Sequence, residues 1–416
     1  MDKYVINGGN KLSGKIRIES AKNSVLPIIA GSILTNEQVV VKNCPKIKDV
    51  DSMLEILTYL GGKWHFEQNN LVLDNASINR YDIPKNLALP LRSSIFLLGA
   101  LICRFKKAKI YQPGGCNIGK RPIDLHILAL ERLGVCTEYF GEQIICSTKD
   151  IKSNNIYLKY PSVGATENII LCSVLNKGKT QIFNAAKEPE IVDLMNFLNS
   201  MGAKIYGAGT STILIDGVPK LSGTEYTPMF DRVECGTFIL ASAITGGEIE
   251  LSNCNPKNIS LLINKLCNNT CKITINNDII YIKNSGVKKA FSFSTNPYPQ
   301  FPTDLQAQTM ALLSVSEGVS SITENVFENR FNHVNELVKM GADISIKGKT
   351  ATVKGVKRLK GANVVATDLR GGASLVLAGL NAEGKTTVEN ICYIERGYCA
   401  FDKKLRSLGA DIIKQG

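Results

Sequence analysis

Cys116 stands in the run Pro113-Gly114-Gly115-Cys116-Asn117-Ile118-Gly119-Lys120-Arg121, among glycines and just ahead of two cations. Positive charge favours the thiolate, so a thiol in such company has its pKa lowered. A tuned thiol can pass a proton or attack as a nucleophile. A second set of residues suits anions. Lys22, Arg92, Arg232, Asp304 and Arg370 each open an apolar segment, and Arg121, Arg330 and Arg396 follow short β-like runs. Helix N-termini hold anions through unpaired N–H groups and the helix dipole, and the guanidinium fork grips phosphate or carboxylate with two hydrogen bonds. Asp304, in Phe301-Pro302-Thr303-Asp304, has two readings. It, or Thr303, is a helix cap, or it is a carboxylate among cations placed to orient or deprotonate a hydroxyl. Asp231 and Asp368 read more readily as caps. Gly114, Gly119 and Lys120 nearly make a phosphate-binding loop, but Arg121 occupies the place of the Mg2+-binding Ser or Thr, which argues against an ATPase.

These residues need elements to hold them. Residues 108–112 alternate apolar and polar like a half-buried strand, and Pro113, Gly114 and Gly115 break it. Pro122 suits the first turn of a helix running through Leu125, Leu128, Ala129 and Leu133 and closing at Gly134. The pattern recurs. Six segments, apolar nearly all round, begin near Lys22, Arg92, Gly164, Arg232, Asp304 and Arg370, about 70 residues apart. Each is followed by a strand, a loop, an amphipathic helix and further strands, giving six β-α-β-α-β-β units. A helix with no polar face must be buried on all sides. The expected fold is therefore a mixed α/β, two-domain inside-out barrel, with three units per domain and their central helices wrapped by mixed sheets. The expected domains are 22–228, and 1–21 with 229–416. The chain crosses near 20–22 and 227–231, and the two crossings form a hinge with the site between the domains.

Composition narrows the function. The chain has 416 residues and a net charge of +12, with basic and acidic residues interleaved. That favours a local anion site over a nucleic-acid track. No apolar run reaches the roughly 18 residues of a membrane span, and the first ten residues are polar, so a cytoplasmic location is expected. The 12 cysteines are dispersed without a CxxC pair, as in a reduced protein, and the three histidines lack metal-ligand spacing.

The Cys116 loop through His126, the Lys22-Asn23 pair, Ser162-Val163-Gly164-Ala165-Thr166, Phe301-Pro302-Thr303-Asp304, Val326-Phe327-Glu328-Asn329-Arg330 and Thr367-Asp368-Leu369-Arg370 together resemble one family. It is the enolpyruvyl transferases that act on UDP-N-acetylglucosamine, and the resemblance spans essentially the whole chain. It implies transfer of the enolpyruvyl group of phosphoenolpyruvate to the sugar 3′-hydroxyl, with release of phosphate and without metal or cofactor. That is the first committed step of peptidoglycan synthesis. By the same resemblance, Cys116 is the general acid, forms covalent adducts and is the fosfomycin target. Lys22, Asn23, Cys116, Arg121, Arg370 and Arg396 hold phosphoenolpyruvate and its phosphate. Asn23, Arg92, Arg121, Pro122, Ile123, Asp124, Leu125, Ser162, Val163, Gly164, Asp304 and Val326 hold the nucleotide sugar. Asp304 is the base; Lys22 and Arg396 complete the catalytic set. A monomer with a mobile Cys116 lid is expected. Tyr160 and Pro161 stand where many relatives carry a lysine just ahead of the Ser-Val-Gly-Ala-Thr run, so the resemblance does not carry over a diphosphate contact there. The alternative is a silent paralogue that binds the nucleotide sugar as a sensor; intact Lys22, Cys116, Asp304 and Arg396 argue against it.

Overall fold

The computed structural model describes residues 2–114, 118–119 and 122–416, so Cys116, Lys120 and Arg121 lie outside the described residues. The chain divides into two compact units. One holds residues 20–114 and 122–229; the other holds 2–19, 118–119 and 230–416.

Each unit is built around three apolar helices. In the first they are Lys22–Ser32, Phe96–Phe105 and Val163–Ser173. In the second, Arg232–Thr245 and Gln306–Leu313 are buried along their whole length, and Leu369–Asn381 nearly so. Small residues let these helices approach closely. A Cβ on Gly99 would lie 2.5 Å from the Asn168 carbonyl oxygen, and the Gly99 N–H donates to Asn168 Oδ1 at 2.7 Å. Such contact adds dispersion energy that any side chain there would abolish.

The repeats share one sheet plan: a parallel pair continued by an antiparallel hairpin. Val39–Val41 runs parallel to Thr224–Tyr226 and antiparallel to Asn70–Asp74, which pairs with Lys63–Glu67. The first repeat thus takes a strand from the end of the third. The second unit borrows in the same way. Ser13–Arg17 lies parallel to Glu248–Ser252, and Lys3–Asn7 sits between Lys385–Glu389 and Asp411–Gln415, antiparallel to both. The N-terminal segment therefore completes two sheets of the unit formed by the end of the chain. Five sheets have four strands, and the sheet of Lys107–Tyr111, Gln143–Ser147 and Cys136–Phe140 has three. Its parallel strand is reduced to a bridge between Asp82 and Lys109. Among the described residues every sheet is open, and none closes into a barrel.

The helix after the Cys116 loop departs from expectation in two respects. It spans Asp124–Arg132, so Pro122 precedes it rather than opening its first turn. It buries His126, Ile127, Ala129 and Leu130, while Leu128 is exposed. The cause is tertiary: Asn168 Nδ2 hydrogen-bonds His126 Nδ1 at 2.8 Å, turning that face toward helix Val163–Ser173. Gly134, φ +84°, lies just beyond its end in the left-handed region. Among the described residues no helix is long and apolar enough to cross a membrane, and no group of His, Cys, Asp or Glu side chains is placed to hold a metal ion.

Candidate functional site

In the unit containing residues 230–416, the starts of the central helices bring charge together. Asp304 lies in a 3-10 turn, Thr303–Leu305, that leads into Gln306–Leu313. The cap positions are Pro302 for the turn and Leu305 for the helix, not Asp304. Arg330 Nη2 donates to Asp304 Oδ1 at 2.8 Å and Arg370 Nη2 donates to Oδ2 at 3.4 Å. Both arginines are buried, whereas the Asp304 side chain keeps 29% of its surface open. A carboxylate held by two guanidinium groups is aimed, which suits a group that must meet a hydroxyl in one orientation. Thr303 also is no cap; its hydroxyl donates to Glu324 Oε2 at 3.0 Å.

Asp368 and Asp231 are caps. Asp368 Oδ1 accepts from the N–H groups of Arg370 at 3.0 Å and Gly371 at 3.1 Å, and Asp231 Oδ1 accepts from Val233 and Glu234. Arg330 reaches Asp368 as well, at 3.7 Å, and its Nη2 also donates to the Thr303 carbonyl at 3.3 Å. Burial alone would lower the Arg370 pKa, but Asp304, then Tyr398 and Asp231, outweigh it and raise the pKa. Arg370 lies over the Tyr398 ring, 5.4 Å from its centre. Below, Gln308 Nε2 donates to Thr237 Oγ1, Tyr398 Oη and the Asp304 carbonyl at 3.0–3.2 Å. His333 is buried beside Asp368 and Arg330, and burial lowers its pKa to about 4, leaving a neutral imidazole. Val326 donates its N–H to Glu324 Oε1 at 2.8 Å, and Arg396 ends the 3-10 turn Ile391–Arg396.

The other unit carries a second cluster. Lys22 and Asn23 are the first two residues of helix Lys22–Ser32. Lys22 Nζ pairs with Asp49 Oδ2 at 3.2 Å, both side chains being largely buried. Pro27, inside the helix, has no N–H to give the Asn23 carbonyl. Arg92 opens a 3-10 turn, Arg92–Ile95, and its Nη1 donates to the Pro113 carbonyl at 3.1 Å, tying it to the entry of the Cys116 loop. Ser162 caps Val163–Ser173, its Oγ accepting from Ala165 N at 3.3 Å, which places Val163 and Gly164 in the first turn. Asp124 and Leu125 begin the helix after Pro122 and Ile123.

The structure thus brings Asp304 and Arg370 together in one unit and shows Lys22, Asn23, Arg92, Ser162, Val163 and Gly164 at helix starts in the other; Cys116 and Arg121 are outside the described residues. Sequence reasoning noted Arg330 only as a loop cation and missed His333, Tyr398, Gln308 and Thr237. The Phe-Glu-Asn-Arg run was the one available signal for Arg330. Nothing local marks the Tyr398–Gln308–Thr237 network, which is assembled from three distant segments.

The EPSP synthase family, described as EPSP synthase (3-phosphoshikimate 1-carboxyvinyltransferase), matches residues 6–405. The chain belongs to this family. Among its relatives it is 51% identical over 415 residues to UDP-N-acetylglucosamine 1-carboxyvinyltransferase 2 of Caldanaerobacter subterraneus subsp. tengcongensis, covering 100% of both chains. It is 47% identical to UDP-N-acetylglucosamine 1-carboxyvinyltransferase 1 of Clostridium perfringens, covering 99% of both. In fold it is similar to the enolpyruvyl transferase NikO from Streptomyces tendae, with a TM-score of 0.88 at 24% identity, over 100% of this chain and 99% of that one.

Proposed function

We infer that this chain transfers the enolpyruvyl group of phosphoenolpyruvate to the 3′-hydroxyl of UDP-N-acetylglucosamine and releases phosphate, the first committed step of peptidoglycan synthesis. The observation that carries the reading is its identity of about one half, from end to end, with proteins of that name. The clamped Asp304 carboxylate supports it, because a sugar hydroxyl needs an aimed base.

The chemistry balances as an addition followed by an elimination. The 3′-oxygen bonds to C2 of phosphoenolpyruvate while its proton passes to Asp304 and the methylene carbon gains a proton from Cys116. A proton then returns from the new methyl group to Cys116 as the C2–O bond to phosphate breaks, and the proton held by Asp304 leaves with the phosphate. Lys22, Asn23, Arg121, Arg370 and Arg396 hold the carboxylate and departing phosphate, where fixed cations stabilise developing negative charge. Arg92, Arg121 to Leu125, Ser162 to Gly164 and Val326, with Asn23 and Asp304, hold the nucleotide sugar. In each unit we read the sheets as wrapping the central helices, as an inside-out α/β barrel, and the crossings near 20–22 and 227–231 as the hinge. The enzyme works in the cytoplasm as a monomer, and fosfomycin alkylates Cys116.

The direct test is phosphate release that requires both substrates. Cys116→Ser is expected to abolish turnover while retaining nucleotide-sugar binding. The intact mass after phosphoenolpyruvate is expected to rise in the native protein and not in Cys116→Ser. No phosphate release from the purified native protein sinks the reading and favours a silent nucleotide-sugar sensor.

A further inference from the structure

Asp193 lies on helix Pro189–Ser200 and is 7% exposed. Its carboxylate collects hydrogen bonds from three places in its own unit. The Ser24 hydroxyl donates to Oδ2, the Met229 N–H donates to Oδ2 at 3.0 Å, and the Tyr226 hydroxyl donates to Oδ1 at 2.6 Å. Tyr226 is in turn set by an edge contact with Phe197, 5.5 Å between ring centres, one helical turn beyond Asp193.

Two of these donors flank Lys22 and Asn23. Ser24 follows them directly and is wholly buried. On the other side, Ala21 donates its N–H to the Met229 carbonyl at 2.8 Å, and Met229 is the residue whose own N–H Asp193 holds. The turn between is held by its own backbone where the Ala21 carbonyl accepts from Ser24 N at 3.0 Å and Val25 N at 2.9 Å, but lacks two other supports. Its N-cap position, Ala21, offers no side-chain bond, and Pro27 gives no N–H to the Asn23 carbonyl. One carboxylate therefore braces both ends of the Lys22-Asn23 turn.

We propose that Asp193 is a positioning residue for this reaction, fixing the Lys22-Asn23 turn from both sides through Ser24 and Met229. The proposal rests on the reading of Lys22 and Asn23 as groups that hold phosphoenolpyruvate. Replacing Asp193 by Asn leaves one acceptor oxygen and turns charge-assisted hydrogen bonds into neutral ones of about half the strength, so the braces weaken. The turn then stays folded but loosens, and a displacement of about 1 Å at a binding group is costly to catalysis.

The experiment is steady-state kinetics for both substrates, with thermal unfolding, on Asp193→Asn, Ser24→Ala and the double variant. Asp193→Asn is expected to raise KM for phosphoenolpyruvate about tenfold. KM for the nucleotide sugar should rise at most about threefold, because of the residues assigned to it only Asn23 stands on this turn. Ser24→Ala, a mild change in a helix, should shift KM for phosphoenolpyruvate the same way by less. The double variant should be little worse than Asp193→Asn alone, since both changes act on the same Ser24–Asp193 contact. A lower Tm with both KM values unchanged, equal shifts in the two, or strictly additive effects overturns the proposal. Lys22→Ala separates the underlying reading: if it leaves KM for phosphoenolpyruvate unchanged, the site assignment fails and this inference with it. If it raises that KM and Asp193→Asn does not, only the inference fails.

Discussion

Arg330→Met removes the group that links Asp304 to Asp368. The Arg330 side chain is 3% exposed, bonds Asp304 Oδ1 at 2.8 Å, lies 3.7 Å from Asp368 and donates to the Thr303 carbonyl. Breaking a buried ion pair by deleting one partner costs about 3–5 kcal/mol, because the other charge stays behind unpaired. Here the cost falls to about 2–4 kcal/mol, since Arg370 still reaches Asp304 and two backbone N–H groups still bond Asp368. Turnover falls as well: with Asp304 as the proposed base, losing its shorter restraint lets it drift, and a drift of about 1 Å costs about a hundredfold in rate. Arg330→Lys keeps the charge and loses the fork, so about a tenfold loss in kcat is expected. Adding Asp304→Asn to Arg330→Met removes one stranded carboxylate and should return about 1–2 kcal/mol of stability without restoring activity. Urea unfolding and phosphate release measure the two effects. Turnover of Arg330→Met within threefold of the native enzyme, or a double variant no more stable than the single, refutes the reasoning.

Three further outcomes follow from local geometry. His333 has its pKa lowered by burial to about 4, with Arg330 adding to and Asp368 opposing the shift. The unfolded chain therefore takes up a proton first, and stability present above about pH 6.5 is lost as pH falls toward 4, by up to about 3 kcal/mol. His333→Gln should flatten that dependence in urea titrations between pH 4.5 and 7. Gly164→Ala would set a Cβ 2.9 Å from His126 Cε1, on a ring that Asn168 holds, so about 1–3 kcal/mol of stability and a higher KM for the nucleotide sugar are expected. Asp368→Ala loses a cap bonded to two N–H groups, worth about 0.5–2 kcal/mol, and calorimetry should show at least that loss because Arg330 also loses a neighbour.

Which of these features the sequence discloses has a physical explanation. The central helices are legible because a segment apolar on every face has nowhere to lie but inside, and all of Arg232–Thr245 and Gln306–Leu313 is buried. Asp231 and Asp368 are legible as caps because capping is local. Leu128 misleads because its apolar character does not say which face of its helix meets a neighbour; that is set by Asn168, some forty residues away. Arg330 is visible as a cation and invisible as a buried one. Residues 1–21 are assigned to the domain of 229–416 from the sequence, yet the particular partners of Lys3–Asn7 and Ser13–Arg17 lie more than two hundred residues away, in pairings that periodicity does not encode.

The unequal grip on Asp304 has a consequence for the order of events. Oδ1 is held by Arg330 at 2.8 Å and Oδ2 by Arg370 at only 3.4 Å, while Arg370 Nη1 has no partner among the described residues. A guanidinium with a spare donor turns toward an arriving phosphate or carboxylate, which it can grip with two bonds. Doing so draws Arg370 from Oδ2 and places anionic charge near Asp304, and both changes make that oxygen a better base. With Asp304 as the proposed base and Arg370 as a proposed phosphoenolpyruvate-binding residue, binding of phosphoenolpyruvate should raise the Asp304 pKa, so that the carboxylate is strengthened as a base only once the group to be transferred is in place. The check is the carboxyl pKa of Asp304 by NMR, with and without phosphoenolpyruvate, in the native protein and in Arg370→Lys. An upward shift on binding that shrinks in Arg370→Lys supports the mechanism. Equal pKa values with and without phosphoenolpyruvate would mean that Arg370 is a static clamp.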